Sequence, residues 1–146
     1  MPTFYERFQE SARQFPNNIA LEIQRKEHVE SVTFAELTRM AESVGRWLST
    51  RVPRDARVAI LAANHPRWVA AYLGIIAAGR VAVPLDTAFQ ADQVRKLLND
   101  SGAALLFCDA KHLPVAIGKH TSQRRIGDDI GRCRAIDQSH SSHRTR

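Results

Sequence analysis

Between Arg57 and Cys108 three short apolar runs alternate with two helix-length segments, and this alternation limits the folds open to the chain more than any other feature. Arg57-Val58-Ala59-Ile60-Leu61-Ala62 is a short, nearly continuous apolar run, the pattern of a strand covered on both faces. Pro66, just after Asn64-His65, suits the first turn of a helix, where the N–H that proline lacks has no partner to lose. Gly79 supplies a stop, so a helix is predicted over Pro66–Ala78. Val81-Ala82-Val83 reads as a second covered strand ended by Pro84, Ala91–Asn99 as a helix stopped by Gly102, and Ala104–Cys108 as a third strand. Strand, helix, strand, helix, strand with short links predicts an α/β fold, a mostly parallel sheet with flanking helices and right-handed crossovers.

The preceding segment is built differently. Phe4, Phe8, Ala12 and Phe15 fall on one helical stripe within Thr3–Phe15, and Pro16-Asn17-Asn18 stops it. Ile19–Ile23 and Val29–Phe34 alternate in polarity about the polar cluster Gln24–His28, which predicts a β-hairpin. Thr33 followed by Glu36 fits a capping box, so a second helix starts there. Its apolar face is Phe34, Leu37, Ala41, Val44 and Leu48, with Met40 and Trp47 at the edges, and Pro53 forces its end.

The formal charge of +6 suggests a nucleic-acid binder until it is divided along the chain. Residues 1–110 hold 13 Lys/Arg against 12 Asp/Glu, whereas residues 111–146 hold 8 against 3. The basic stretch has no Phe, Tyr or Trp on which a base could stack, which disfavours nucleic acid as a partner. Apolar periodicity fades near Pro114, so the expected organisation is a partial domain over residues 1–113 and a basic, disordered tail over 114–146. Cys108 closes the run Leu105-Leu106-Phe107 and reads as a small buried hydrophobe. No secretory h-region or bilayer-length apolar stretch is present, which makes the cytoplasm the expected location.

Val58–Gly79, with its Asn64-His65-Pro66-Arg67-Trp68 entry and Ala77-Ala78-Gly79 exit, followed by Val83-Pro84-Leu85-Asp86, closely resembles the AMP-dependent synthetase and ligase family. Long-chain fatty-acid CoA ligases are the nearest type. The Phe4–Arg7 helix, the Ala20-Leu21 strand, the Thr33–Leu37 cap and Leu97–Ala103 fall in the family's order, so the resemblance covers about residues 3–113. Arg80, where relatives commonly place a small residue, reads as solvent-exposed. The resemblance implies the N-terminal part of a large adenylate-forming domain. The complete enzyme would activate a fatty acid with ATP and Mg2+ to an acyl-adenylate and transfer the acyl group to CoA.

In family members the Gly-rich phosphate loop, the acidic residue on the ribose and the C-terminal lysine all lie further along. Gly118-Lys119 is followed here by His120, not Ser or Thr, and Asp128 and Asp129 would repel a phosphate beside Gly127 and Gly131. The chain alone is therefore expected to be inactive and to bind none of these cofactors, with no catalytic and no metal-binding residue. Asn64, His65 and Trp68, at a strand-to-helix junction, are the weak binding candidates; the plainer reading makes them a cap, a solvated imidazole and a packing indole. His112, His120, His140 and His143 lack the fixed geometry a metal requires. A sheet edge left uncovered leaves room for self-association or a partner protein.

Overall fold

The computed structural model describes residues 1–117 and the strand Cys133–Ala135. Two compact units are present, one from Met1–Ala56 and Asn64–Ala82, the other from Arg57–Ala63 and residues 83 onward. The elements are α1 (Phe4–Gln14), β1 (Ile19–Gln24), β2 (Val29–Thr33), α2 (Phe34–Ser49), β3 (Arg57–Leu61), α3 (Pro66–Ala77), β4 (Val81–Pro84), α4 (Ala91–Ser101), β5 (Leu105–Cys108), α5 (Leu113–Ile117) and β6 (Cys133–Ala135). No helix among the described residues is long and apolar enough to cross a membrane.

In the first unit β1 and β2 form the expected antiparallel hairpin, with Glu22 opposite Ser31 and a register shift between Ile19 and Leu21. Its turn closes through Arg25 N–H to the His28 carbonyl, 2.8 Å. Thr33 caps α2 as its spacing predicts: its hydroxyl accepts from Glu36 N–H at 3.2 Å, and Glu36 Oε2 accepts from Thr33 N–H at 2.9 Å. The same reciprocal box, unmarked in the sequence reading, opens α1 through Thr3 and Glu6. The core here joins Val32, Leu37, Ala41, Ala70 and Leu73, with Tyr5, Phe8, Leu21 and Val69 packed against it. The α1 stripe is used only in part: Phe8 packs, Phe4 stays 67% exposed, and Tyr5 takes the inner place instead.

The two helices α2 and α3 approach through glycine. A Cβ on Gly74 would lie 2.6 Å from both the Ala41 carbonyl oxygen and Val44 Cβ, so only a bare Cα fits this crossing. Gly79 ends α3 in the left-handed region, φ +69°. The following Arg80 corrects the exposed reading. It is buried, and its guanidinium donates to the Val52 and Ala78 carbonyls beyond the C-termini of α2 and α3. Ala78 is the C-cap residue of α3, where a cation meets the negative end of the helix dipole, and Val52 lies in the loop that follows α2.

The larger sheet has strand order β4-β3-β5-β6. β3 pairs parallel with β5 (Val58 with Leu105, Ile60 with Phe107), as does β5 with β6. Both central strands are buried on both faces, as continuous apolar runs require: Val58 to Leu61 and Leu105 to Cys108 are all buried. β4 differs from its expected covered state, because it ends the strand order and leaves Val81 49% exposed. In the second unit Ala59, Leu61, Leu85, Val94, Leu98, Leu106 and Cys108 form the core. The expected boundary at 113/114 falls inside α5, and Cys133–Ala135 adds a strand where periodicity gave none. Its three residues pair parallel with β5, and backbone pairing leaves no mark on apolar spacing. The rest of the expected tail lies outside the described residues, as do His120, His140 and His143.

Candidate functional site

Asn64 and His65 lie in the turn that leads into α3, and Trp68 in its first turn. With Leu21, Ile23, Pro66 and Val69 they line a pocket of about 290 Å³ beside β1. That volume sits at the lower limit of small-molecule sites, and the lining is mostly apolar.

Asn64 and His65 take different parts from those of the plainer reading, whereas Trp68 packs as that reading has it. His65, not Asn64, caps α3: its Nδ1 accepts from Arg67 N–H at 3.1 Å. Its Nε2 lies 2.9 Å from Arg25 Nη2, and the Arg25 Nε and Nη2 both donate to Glu30 Oε2, at 3.0 and 2.9 Å. The imidazole is therefore held, not solvated. Both ring nitrogens face donors, while a neutral imidazole has one lone pair to offer, so in either tautomer only one of the two contacts is a hydrogen bond and protonation of the ring would gain no acceptor. Burial, then the Arg25 charge, hold the His65 pKa below its ordinary value; Glu30 opposes them and Arg67 adds to them. Trp68 stacks on Tyr72, with rings 5.6 Å apart and 7° from parallel, and Phe4 meets Tyr72 edge-on at 6.3 Å.

These groups do not make a nucleotide site. The Arg67 N–H that a phosphate would seek at this helix end is already bound by His65. No group of three or more His, Cys, Asp or Glu among the described residues is placed to hold a metal ion. The described residues around this helix start thus offer no phosphate cradle for ATP and no ligand cluster for Mg2+.

One pair escaped the sequence reading. Asp109, directly after β5, is 2% exposed and His112 is 7% exposed. Asp109 Oδ2 accepts from Ala63 N–H, just past β3, at 2.9 Å. Its Oδ1 accepts from His112 N–H at 2.9 Å and lies 2.6 Å from His112 Nδ1. Burial is the largest influence on Asp109 and acts upward, but these donors together outweigh it and hold the carboxyl below its ordinary range. Asp109 is then an ionised acceptor, which assigns the shared proton to Nδ1 of His112. The expectation that His112 lacks fixed geometry is corrected. The sequence signal was an acid closing an apolar strand with histidine three residues on.

Comparison with known proteins places this architecture. The sequence matches the AMP-binding enzyme family over residues 8–143, past Pro114, where the quoted resemblance stops. It is 35% identical over 114 residues to tyrocidine synthase 3 of Brevibacillus parabrevis, covering 77% of this chain and 2% of that protein. It is 31% identical over 103 residues to the D-alanine–D-alanyl carrier protein ligase of Bacillus mycoides (strain KBAB4), covering 66% of this chain and 20% of the ligase. Among solved structures, the O-succinylbenzoate Coenzyme A synthetase (MenE) of Bacillus subtilis is 30% identical with a TM-score of 0.63, over 71% of this chain and 26% of that one. The fatty acid AMP ligase of Legionella pneumophila, 24% identical, shares the fold with a TM-score of 0.67 over 74% of this chain and 20% of the ligase. The chain thus spans only about a fifth of the ligases that it matches. From the β3–α3–β4–α4–β5 order and the match over most of its length, the chain belongs to the AMP-binding enzyme family.

Proposed function

We propose that this chain is a scaffold segment of an adenylate-forming ligase, one that activates a carboxylic acid with ATP and Mg2+ to an acyl-adenylate and passes the acyl group to a thiol. The family match over residues 8–143 carries the reading. ATP and Mg2+ would be held by residues outside this chain, which has no phosphate cradle of its own. Its own residues build the parallel β3–β5 pair and the α2–α3 crossing on which a catalytic region would rest. The reading carries a cytoplasmic setting with it.

For the acid, the Asn64–Trp68 and Val83–Asp86 motifs favour a long-chain fatty acid with CoA as acceptor. An amino acid with a carrier-protein thiol is the second reading, favoured by the 31% identity with the D-alanine ligase. The Asn64, His65 and Trp68 pocket serves as support in both. Self-association through the exposed edge at β4 belongs to the same proposal, because an end strand leaves backbone groups open to pairing.

ATP–pyrophosphate exchange tests the reading. The purified chain should give background exchange with palmitate and with D-alanine. Co-expression with a relative that lacks its matched segment should restore exchange with the acid that relative uses. Robust exchange by the chain alone would refute the scaffold role.

A further inference from the structure

The ring of His65 stands between two walls that compete for one lone pair. On one side is the start of α3, where the Arg67 N–H lies 3.1 Å from Nδ1. On the other is the end of the hairpin, where Arg25 Nη2 lies 2.9 Å from Nε2. The pocket runs between these walls, with Leu21, Glu22 and Ile23 of β1 facing His65, Pro66 and Trp68. With the lone pair on Nδ1 the cap is made, and Nε2–H points at an Arg25 donor. With the lone pair on Nε2 the Arg25 contact becomes a hydrogen bond and the cap is lost. The two donors differ in what else they have. Arg25 keeps Glu30 Oε2, which accepts from both its Nε and its Nη2. The Arg67 N–H, in the first turn of α3, has no intrahelical carbonyl to turn to. The tautomer with its proton on Nε2 is therefore the resting one. Its contact with Arg25 is a meeting of two donors, kept close by the packing of Leu21 and Val69 on the core of this unit.

We propose that His65 is a proton-driven latch: neutral, it caps α3 and lets the hairpin end close on it; protonated, it uncaps α3 and drives Arg25 and the hairpin end away. The groups around the ring set the direction. Arg25 from the turn and Arg67 from α3 oppose a charge on the imidazole, and Glu30 from β2 favours one. Glu22 of β1 accepts from the Ser31 hydroxyl at 3.3 Å. Because Glu30 is already held by two Arg25 N–H groups, an imidazolium gains that carboxylate only by displacing Arg25. The freed end keeps its own closure, Arg25 N–H to the His28 carbonyl and the Gln24 amide to the Arg25 carbonyl. A two-stranded ribbon without packing is marginal, so this end frays while Leu21 and Val32 hold the remainder on the core. Once released, the ring is solvated and titrates near about 6.5, above its value in the closed state. Release therefore grows easier as pH falls below about 6.5, by up to roughly tenfold for each unit, until the closed ring titrates as well. The latch needs no ligand and is independent of the scaffold reading.

Amide hydrogen exchange, followed by NMR on the whole 146-residue chain labelled with 15N, tests the latch. At about pH 7.5, a unit above the ordinary imidazole value, the His65 ring should show the Nε2–H tautomer. Between about pH 7.5 and 5.5 the protection of the Arg25 and Arg67 amides, corrected for the intrinsic rate, should fall, steepening to as much as tenfold per unit below about 6.5. The buried Ala41 amide in α2 should keep its protection over the same range. His65→Asn retains a side chain that caps a helix but takes up no proton, so Arg67 protection should become independent of pH. Arg25→Met leaves Glu30 to the imidazolium and should lessen the fall at the hairpin end. An Nδ1–H tautomer at rest, a flat protection profile in the natural chain, or a loss spread equally to Ala41 would overturn the proposal without requiring any variant to fold. The same fall persisting in His65→Asn would also overturn it, since the titrating group would then lie elsewhere.

Discussion

Gly74 faces Ala41 so closely that a methyl group on its Cα would lie 2.6 Å from the Ala41 carbonyl oxygen. In an isolated helix, replacing glycine by alanine gains about 1 kcal/mol. Here overpacking opposes that gain at about 1–3 kcal/mol, because the obstacle is backbone and a Cβ, neither of which swings aside. Gly74→Ala should therefore destabilise the chain in urea. Unchanged or raised stability would show that α2 and α3 separate at little cost.

Arg80 gives a second expectation. Arg80→Met keeps most of the buried stem but leaves the Val52 and Ala78 carbonyls without their donor. Each charged hydrogen bond lost should cost about 1.5–3 kcal/mol. Arg80→Lys should restore only part, since one ammonium cannot copy the planar fork that reaches both carbonyls. Full stability in the lysine variant would mean that charge alone matters at these two carbonyls.

The α2 cap can be followed by titration. The Thr33 backbone N–H, then its hydroxyl, hold the Glu36 carboxyl below its ordinary value. Because the folded pKa is depressed, the cap's contribution is present above the unfolded value. It is lost as pH falls below about 4.3 and through the folded value. Thr33→Ala should cost about 1 kcal/mol and raise the Glu36 midpoint in carbon NMR. A midpoint unaltered by the substitution would contradict the reciprocal box.

His65 titrates with the same sign for a different reason. Its folded pKa is depressed, chiefly by burial and then by Arg25, so the unfolded chain takes up the proton first. Stability present above about 6.5 is lost as pH falls through the imidazole range. Arg25→Met should raise the His65 midpoint and flatten that slope, read by ring-proton NMR and denaturation against pH. A lower midpoint in the variant would rule out Arg25 as a source of the depression.

These residues also show what the sequence makes legible. Pro66, Gly79 and Gly102 announced their helix boundaries because each acts through its own backbone, and β3 and β5 announced their burial through unbroken apolar runs. Thr33–Glu36 was readable as a box, yet Thr3–Glu6 has the same spacing and went unread beside a stronger aromatic stripe. What stayed hidden depended on partners distant in sequence. Arg80 looks like any surface arginine until Val52 is placed beside it, and Asp109 like a strand end until Ala63 N–H arrives. His65 was singled out, but its contact with Arg25, whose charge depresses its pKa, crosses 40 residues. β6 pairs with β5 through its backbone and carries no apolar period.

The parallel pairing of β3 with β5 also fixes an order of events during synthesis. β3 leaves the ribosome early, yet its partner follows only after α3, β4 and α4 have been made. Until then Val58–Leu61, which ends fully buried, has no strand on that side to cover it. Non-local pairing of this kind is slow, and the unpaired apolar strand is a point of vulnerability to aggregation in the nascent chain. The hairpin of β1 and β2 bears no such delay, since its two strands are made in immediate succession.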